Sequence, residues 1–249
     1  MGRISRFRDR TRLSKRSLLA QVVDDVVRSF DFSARIYNTI CAKRSYSQFG
    51  EDKVIKTFLP ERFGSYLDIG AGHPIRNSNS YLFYKSGWQG TLIEPILDLA
   101  NTAKRVRRRD RIHCCLIGKS DLQQPELDFY QFSPTELSTT DASRASALQI
   151  AGHVLTKKYP IRVQHVSKFT TFISPDDSFF LTIDVEGLDL DILKSIDWRT
   201  FKPRVVCVEN PTLFRVPNEI SDLMESVGYN LASFHLISAI YVHKSYDHH

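Results

Sequence analysis

The stretch Tyr66-Leu-Asp-Ile-Gly-Ala-Gly-His-Pro74 decides the fold class of this chain. Apolar residues lead into Asp68 and two glycines follow it, which predicts a buried β-strand that ends in a tight turn. Gly70 and Gly72 would let the backbone approach a ligand closely. A dinucleotide-binding fingerprint needs a third glycine, but Ile75 stands at that position. The stretch therefore predicts a ligand loop of another kind.

A second acid ends the next predicted strand. Glu94 follows Asp68 by 26 residues, and an acid at that place can accept both hydroxyls of a ribose. Asp68 suits a cationic amine better than a pyrophosphate, which its charge would repel. S-adenosylmethionine has both an amino-acid end and an adenosine end. Asp68, Gly70, Gly72 and Glu94 together therefore predict a site for this cofactor, although Asp68 alone could be a helix N-cap.

The chain alternates between predicted strands and predicted helices from about residue 45. The candidate strands are short, almost continuous apolar runs, as expected of parallel strands buried on both faces: Ser65–Ile69, Gly90–Glu94, Arg111–Ile117, Phe179–Val185 and Arg204–Glu209. The candidate helices between them are Gln48–Phe58, Ile96–Val106, Leu188–Ile196 and Asn218–Val227. Tyr229–Ile237 and Ala239–His243 predict an antiparallel hairpin that turns around Ser238. Residues 119–177 are less regular, with strands predicted at Leu127–Phe132 and near Arg162–Ser167 and a polar segment over 133–146.

Several short blocks together resemble FkbM-type methyltransferases. The blocks are Ser47-Gln-Phe-Gly-Glu-Asp52, Asp68-Ile-Gly-Ala-Gly72, Ser78-Asn79, Gly87-Trp-Gln-Gly90, Ile93-Glu-Pro95 and Ile183-Asp-Val-Glu-Gly187. The resemblance implies a class I methyltransferase fold, which is α/β and Rossmann-like: a mostly parallel seven-stranded sheet with an antiparallel C-terminal hairpin and helices on both faces. It also implies S-adenosylmethionine-dependent O-methylation, often of a sugar hydroxyl. Gln48, Glu51 and Ser78 match family blocks and are expected to border the cofactor.

A second acidic pair follows the fourth predicted strand. Asp184 and Glu186 are two residues apart, so both side chains lie on one side of an extended chain. An alcohol is a poor nucleophile until it loses its proton, and we expect this pair to act on the acceptor hydroxyl. Acids are also favoured in the first turn of a helix, which is the structural alternative. His73, beside the glycine loop, is a further candidate base.

A divalent cation is a second way to activate the hydroxyl. Asp184, Glu209 and Asn210 offer the oxygen ligands that Mg²⁺ or Mn²⁺ prefers. The arrangement is similar to the metal-binding acids of macrocin-type sugar O-methyltransferases, in which an acid two residues after the first ligand is the base. That position is Glu186 here. Asn210 departs from the acid expected in this comparison, which leaves a metal-free mechanism open.

Composition and charge define the organisation of the chain. Its 249 residues are 42% hydrophobic and 25% charged, which fits one globular domain with an extension. The net charge of +6 equals that of residues 1–16 alone. We predict a basic tail over 1–16, an amphipathic helical extension over 17–44 and the methyltransferase domain over 45–249. No apolar run is long enough to span a membrane. Free cysteine thiols and a cytoplasmic location are expected.

The basic segments suggest partners other than the acceptor. Residues 1–44 would suit an anionic membrane surface, which makes a peripheral location the alternative. The segment Lys104–Arg111 holds six cations against Asp110 and is either a solvated helix face or a site for acidic glycans or lipid head groups. Nucleic acid is disfavoured because aromatic residues are not interleaved with the charges. A nucleic-acid methyltransferase and a non-catalytic scaffold that only binds S-adenosylmethionine are the alternatives to a glycan or secondary-metabolite methyltransferase.

Overall fold

The computed structural model describes residues 45–118, 126–185, 187–209 and 218–246. The predicted tail and helical extension, Glu186 and Asn210 lie outside these ranges, and the domain boundary at residue 45 stays a prediction. Within these ranges, no helix is both long enough and apolar enough to cross a bilayer.

Strands and helices alternate through the part of the chain that the structure covers. The strands are β1 Ser65–Ile69, β2 Gln89–Ile93, β3 Arg111–His113, β4 Leu116–Gly118, β5 Glu126–Ser133, β6 Val154–His165, β7 Phe179–Ile183, β8 Val205–Glu209, β9 Tyr229–His235 and β10 Ser238–His243. The α-helices are α1 Glu51–Phe58, α2 Tyr81–Lys85, α3 Leu97–Val106, α4 Ala142–Ile150, α5 Asp189–Ser195 and α6 Asn218–Ser226. Short 3₁₀ turns occupy Thr135–Leu137, Val166–Lys168 and Lys244–Tyr246.

The main sheet has seven strands in the order β3-β2-β1-β7-β8-β10-β9. Strands β3, β2, β1, β7 and β8 are parallel, and β10 runs antiparallel to both of its neighbours. The strand order reverses between β1 and β7, which is where ligands bind in open α/β sheets. The predicted fold class, a mostly parallel seven-stranded sheet with an antiparallel C-terminal hairpin, is confirmed.

Alternating side chains of the sheet build a core on each face. On β1, Tyr66 packs with Phe180 and Ile55 on one face, while Leu67 and Ile69 belong to the other. Each of these side chains is at most 1% exposed, and burying a large apolar side chain contributes roughly 1.5–3 kcal/mol. The two cores cover both faces of β1 and so fix the edge at which its loop emerges.

A second, three-stranded sheet with the order β4-β6-β5 is inserted after β3. The single strand predicted over Arg111–Ile117 is wrong, because the main-sheet strand ends at His113 and β4 belongs to the second sheet. Cys114 and Cys115 lie at this crossing, and both carry free thiols as predicted. The Cys114 Sγ lies 3.6 Å from the Pro95 carbonyl oxygen. The pairing with β6 draws the chain out of the main sheet.

Two other expectations differ from the structure. The polar segment predicted over 133–146 contains the start of α4, whose N-cap Asp141 accepts the backbone N–H of Ser143 at 2.7 Å. Ser238 is the first residue of β10 rather than the turn itself, and Leu236 takes the positive φ of 36° that the turn requires.

The end of β1 runs very close to the end of β7 at Gly70. This residue has φ of 80°, and a Cβ built there would lie 1.7 Å from the backbone oxygen of Asp184. The Asp184 N–H also donates to the Ile69 carbonyl at 2.9 Å. Gly70 is therefore required by the contact between two strand ends, whereas the sequence suggested close approach to a ligand.

We expect Gly70→Ala to lower the free energy of unfolding by about 3 kcal/mol or more, since backbone must move to admit the Cβ. Gly72→Ala is the matched control. Gly72 also has a positive φ, 57°, but no atom lies within 4 Å of its built Cβ. Its cost should be only the ~1–2 kcal/mol of the left-handed conformation. Urea unfolding of both variants measures the difference, and equal losses would contradict the clash.

Candidate functional site

Four carboxyl groups meet where the parallel strands end, an edge that we call the carboxyl edge. Asp68, Glu94, Asp184 and Glu209 come from the ends of β1, β2, β7 and β8. The charges of Asp68 and Asp184 act on Glu94, and Glu209 is hydrogen-bonded to Asp184. The structure thus brings together acids that are up to 141 residues apart in the sequence.

Glu94 joins the two loops that the sequence predicts to hold the cofactor. Its carboxylate accepts the N–H of Gly72 at 2.7 Å through Oε2 and the N–H of Ile96 at 2.7 Å through Oε1. Burial raises the pKa of Glu94 to about 7, although both N–H groups favour the charged form. Open space lies beside Gly72. Glu94 therefore fixes the position of the glycine loop through the Gly72 N–H, while the Cα of Gly72 faces open space.

Tyr159 reaches the same loop from the second sheet. Its hydroxyl donates to the Pro95 carbonyl oxygen at 3.3 Å and lies 3.4 Å from Oε1 of Gln131. Burial raises the pKa of Tyr159 to about 12. Tyr159 leaves no signal in the sequence, because it lies in the irregular insert far from Glu94 along the chain and only the β6 pairing brings it there.

Asp68 points into the protein beneath the loop. It is 5% exposed and accepts a short hydrogen bond from the Ser80 hydroxyl. Burial raises the pKa of Asp68 to about 6, while the charge of Arg107 and the Ser80 hydrogen bond oppose that rise. The Ser80 hydrogen bond and the charge of Arg107 thus hold the Asp68 carboxyl from one side without any ligand.

Arg107 is the centre of that network and is completely buried. It donates to Asp110 at 2.7 Å, to the Ser80 hydroxyl at 2.9 Å and to the Tyr66 hydroxyl at 2.7 Å. Ser78 also belongs here, with its hydroxyl 3.4 Å from the Arg107 guanidinium. The sequence grouped Arg107 with solvated cations and Ser78 with residues bordering the cofactor. Both are buried in the domain and connect to Asp68 through Ser80, and the place of Ser78 beside the cofactor stays a prediction.

Glu51 and Gln48 lie at the N-terminal end of α1. Glu51 is 1% exposed and accepts the Phe49 N–H at 2.8 Å and the Ser238 hydroxyl at 3.2 Å. Ser238 is paired with Glu209 across the sheet, so Glu51 reaches the β8 side of the carboxyl edge. Gln48 is half-buried in the loop before α1. Its place beside the cofactor stays a prediction.

Asp184 lies at the carboxyl edge, one residue after the end of β7. The residue is exposed at this edge, while protein atoms surround its carboxyl group. The crowding raises the pKa of Asp184 well above its ordinary value, and Glu209 raises it further. The protonated form of the pair is thereby favoured, as for two carboxyls that share a proton.

Asp189 holds the backbone on both sides of position 186. Its carboxylate accepts the N–H of Val185 at 3.3 Å and of Gly187 at 3.1 Å, on either side of position 186. Burial raises the pKa of Asp189 to about 6. Asp189, the first residue of α5, therefore positions the backbone before the helix, while Asp184 lies at the carboxyl edge.

Two candidates remain: His73 as a base, and Asp184 with Glu209 as metal ligands. The His73 Nδ1 accepts the N–H groups of Ile75 and Arg76 at 3.2 and 3.1 Å, so this nitrogen stabilises the turn. Asp184 and Glu209 meet, but among the residues that the structure covers no group of three or more His, Cys, Asp or Glu could hold a metal ion. The predicted third ligand, Asn210, lies outside those residues.

The sequence comparison identifies the family. Residues 68–231, about two thirds of the chain, match the family described as Methyltransferase FkbM domain. The chain belongs to the FkbM methyltransferase family. It therefore has both the fold and the family membership of S-adenosylmethionine-dependent methyltransferases, as the sequence blocks implied. A comparison with curated proteins gives no match.

Solved structures with a similar arrangement are remote in sequence. A TehB-like SAM-dependent methyltransferase from Corynebacterium glutamicum is 14% identical, with 88% of this chain and 99% of that chain covered and a TM-score of 0.42. The 1,6-didemethyltoxoflavin-N1-methyltransferase of Burkholderia thailandensis is 12% identical, with coverages of 91% and 88% and a TM-score of 0.38. An O-methyltransferase from Bacillus cereus is 13% identical, with coverages of 91% and 97% and a TM-score of 0.38. Family membership rests on the family match and not on these likenesses.

The raised carboxyl pKa values predict how stability depends on pH. Between about pH 4 and pH 7 the folded protein retains protons on Glu94, Asp68 and Asp189 that the unfolded chain has lost. Raising the pH through this window therefore lowers the free energy of unfolding, by roughly 3 kcal/mol for Glu94 alone. Denaturant unfolding at several pH values should show a smaller fall in Glu94→Gln. The exposed Glu126→Gln should retain the native slope, and an unchanged slope in Glu94→Gln would contradict the assignment.

Proposed function

We propose that this protein transfers a methyl group from S-adenosylmethionine to a sugar hydroxyl of a glycan or secondary metabolite. The observation that carries the cofactor part is the cluster of the Asp68, Glu94 and Asp184 carboxyl groups at the strand ends beside the glycine loop. Burial raises the pKa values of all three carboxyls, and repulsion from Asp68 and Asp184 raises that of Glu94 further. A cationic ligand would relieve that repulsion.

The charges of S-adenosylmethionine suit this cluster. Its ammonium and sulfonium groups are both positive, and its ribose offers two hydroxyls to a carboxylate. We assign the ribose to Glu94, which lies at the end of β2 beside the topological switch point. Gly70 and Gly72 shape the loop, and Asp68 supplies negative charge from beneath it. Gln48, Glu51 and Ser78 support the surroundings of the site rather than its centre.

The acceptor side of the proposal rests on Asp184. When bound, the cofactor supplies an already activated methyl group, so the chain has to align the hydroxyl and remove its proton. Asp184 is accessible at the carboxyl edge and lies beside Glu209. Glu186 follows it by two residues in the sequence, between Val185 and Gly187, whose N–H groups Asp189 accepts. We assign the role of base to Glu186 and the binding of the acceptor hydroxyl to Asp184.

Mg²⁺ or Mn²⁺ stays a prediction about the same pair. Carboxylate oxygens are suitable ligands, but Asp184 and Glu209 are hydrogen-bonded to each other and supply only two residues. No catalytic step here depends on a metal. Among the alternatives, methylation of nucleic acid is disfavoured because aromatic residues are not interleaved with the cations of Lys104–Arg111, and a non-catalytic scaffold would have no need of the exposed Asp184.

Cofactor binding can be tested through charge. We expect S-adenosylmethionine to bind about 10-fold more tightly than S-adenosylhomocysteine at pH 8, since a unit charge ~12 Å from a carboxylate gains about 1.4 kcal/mol at an effective dielectric constant of ~20. The difference should shrink at pH 6, where Glu94 is protonated. Calorimetry in buffers of different ionisation enthalpy should also detect protons released on binding near pH 7.

The Glu94→Gln variant locates this effect. Its binding free energy for S-adenosylhomocysteine should weaken by ~1–3 kcal/mol, the usual loss for a hydrogen bond to a charged group. The Glu126→Gln variant should bind S-adenosylhomocysteine normally. Because the amide cannot accept both loop N–H groups, thermal unfolding must show that the variant is folded. Unchanged affinity in a folded Glu94→Gln protein would refute the ribose assignment. Tighter binding of NAD than of S-adenosylmethionine would refute the cofactor.

Catalysis can be tested with methyl glycosides as acceptors and release of S-adenosylhomocysteine as the readout. We expect Glu186→Gln to lower turnover ~10²–10⁴-fold without changing cofactor affinity, because the variant keeps its shape and loses the proton acceptor. Asp191→Asn is the matched control in the following helix. Near-normal turnover in both Asp184→Asn and Glu186→Gln would contradict the assignment.

The same assay tests the metal and the acceptor class. Chelator-sensitive turnover restored by Mg²⁺ would establish a metal, and transfer to none of the sugars would contradict the acceptor class.

A further inference from the structure

A basic surface with exposed apolar side chains lies on the edge of the sheet opposite the acids. We call it the amino-edge patch and define it as Arg62, Phe63, Lys85, Arg105, Val106, Arg108 and Arg109. These residues precede β1 or lie around the ends of α2 and α3, where β1 and β2 begin. A five-residue strand spans roughly 15 Å, so the patch is at least that far from the carboxyl edge.

Direct contacts connect neighbouring residues of the patch. Phe63 lies against Gly87, two residues after Lys85. The Arg109 guanidinium stacks 4.0 Å from the centre of the Tyr84 ring and donates to the Tyr84 carbonyl oxygen. The Tyr84 hydroxyl donates in turn to the Val106 carbonyl oxygen at 3.4 Å. Cations and apolar groups therefore alternate over one surface.

The acids nearest to the patch in the sequence are paired with arginines that do not belong to it. Asp110 pairs with Arg107, and both side chains are 0% exposed. Glu61 forms an ion pair with Arg204. The six cations of Lys104–Arg111 thus form two groups. Arg107 is buried and pairs with Asp110, the acid of this segment. The other five are exposed, and Asp110 does not neutralise their charge. The exposed cations leave the patch strongly positive.

Helix ends explain part of this composition but not all of it. Cations near the C-terminal ends of α2 and α3 stabilise the helix dipoles, which accounts for Lys85 and Arg105. That effect gives no reason for the exposure of two large apolar side chains among them. Phe63 is 63% exposed and Val106 is 40% exposed. Apolar side chains that enter the head-group region, with cations beside them, are typical of surfaces that bind membranes.

We infer that the amino-edge patch docks the domain on an anionic membrane surface. The cations attract acidic head groups, and Phe63 and Val106 enter the interface between them. RNA fits less well, because a base would need a free aromatic face. Arg109 covers Tyr84, and Arg62 lies 5.2 Å from the centre of the Phe63 ring. In this orientation the carboxyl edge opens away from the bilayer.

The test uses the full chain and two kinds of vesicle, phosphatidylcholine alone and phosphatidylcholine mixed with phosphatidylserine. Each basic residue at an anionic surface is worth roughly fivefold in binding, so R62Q/R105Q/R108Q should lose about 100-fold in co-sedimentation with the mixed vesicles. K157Q/K158Q/R162Q removes the same charge from β6 and should lose far less. Equal losses in the two triple variants would overturn the inference, since a diffuse attraction would then suffice.

A residue-specific probe separates the patch from the basic tail of residues 1–16. Trp88 and Trp198 are buried, so a Trp introduced by Phe63→Trp reports on the patch. Its emission should shift to shorter wavelength on addition of mixed vesicles and be quenched by brominated lipid. Ile150→Trp, on exposed α4, should not respond. An unresponsive Phe63→Trp protein that still sediments with vesicles would overturn the inference, and so would patch-dependent binding of poly(U) without binding of vesicles.

Discussion

A fully buried guanidinium has to be surrounded by acceptors, and Arg107 finds them in groups from three other parts of the domain. Asp110 neutralises the charge of Arg107, and the Tyr66 hydroxyl belongs to β1. Ser80, just before α2, accepts from Arg107 and donates to Asp68. Removing one partner of such a pair is costly because the other charge stays buried. The network therefore links the end of α3 to the glycine loop and fixes where Asp68 lies.

The main sheet was predictable because its strands are short apolar runs that end in acids or glycine. Strands buried on both faces leave this signal in any single sequence, and the structure places Asp68, Glu94, Asp184 and Glu209 at the predicted edge. The break at Cys114-Cys115 was not predictable, because both sides are apolar and the change of sheet depends on pairing with β6. Arg107 was misassigned for a related reason: a buried cation looks like a surface cation until its acceptors are known.

The site itself was only half predictable. Composition at the strand ends identified the acids, but it could not show that Gly70 serves a contact with the Asp184 backbone while Gly72 faces open space. Nor could it show that Glu94 already holds the Gly72 N–H. These contacts preset the two loops relative to each other, so little ordering is left for a ligand to induce. The inserted sheet adds Tyr159 to the same region, where its hydroxyl contacts the Pro95 carbonyl oxygen beside Glu94. An irregular part of the sequence thereby contacts the regular strand ends of the main sheet.

The acid cluster has a consequence for turnover under the proposed function. Methyl transfer converts a sulfonium into a neutral thioether, so the reaction itself removes one of the two positive charges that Asp68, Glu94 and Asp184 attract. The spent cofactor would then be attracted less strongly by the same carboxyls, since only its ammonium group would still be positive. The acids that would favour binding of the methyl donor would therefore hold the product less tightly.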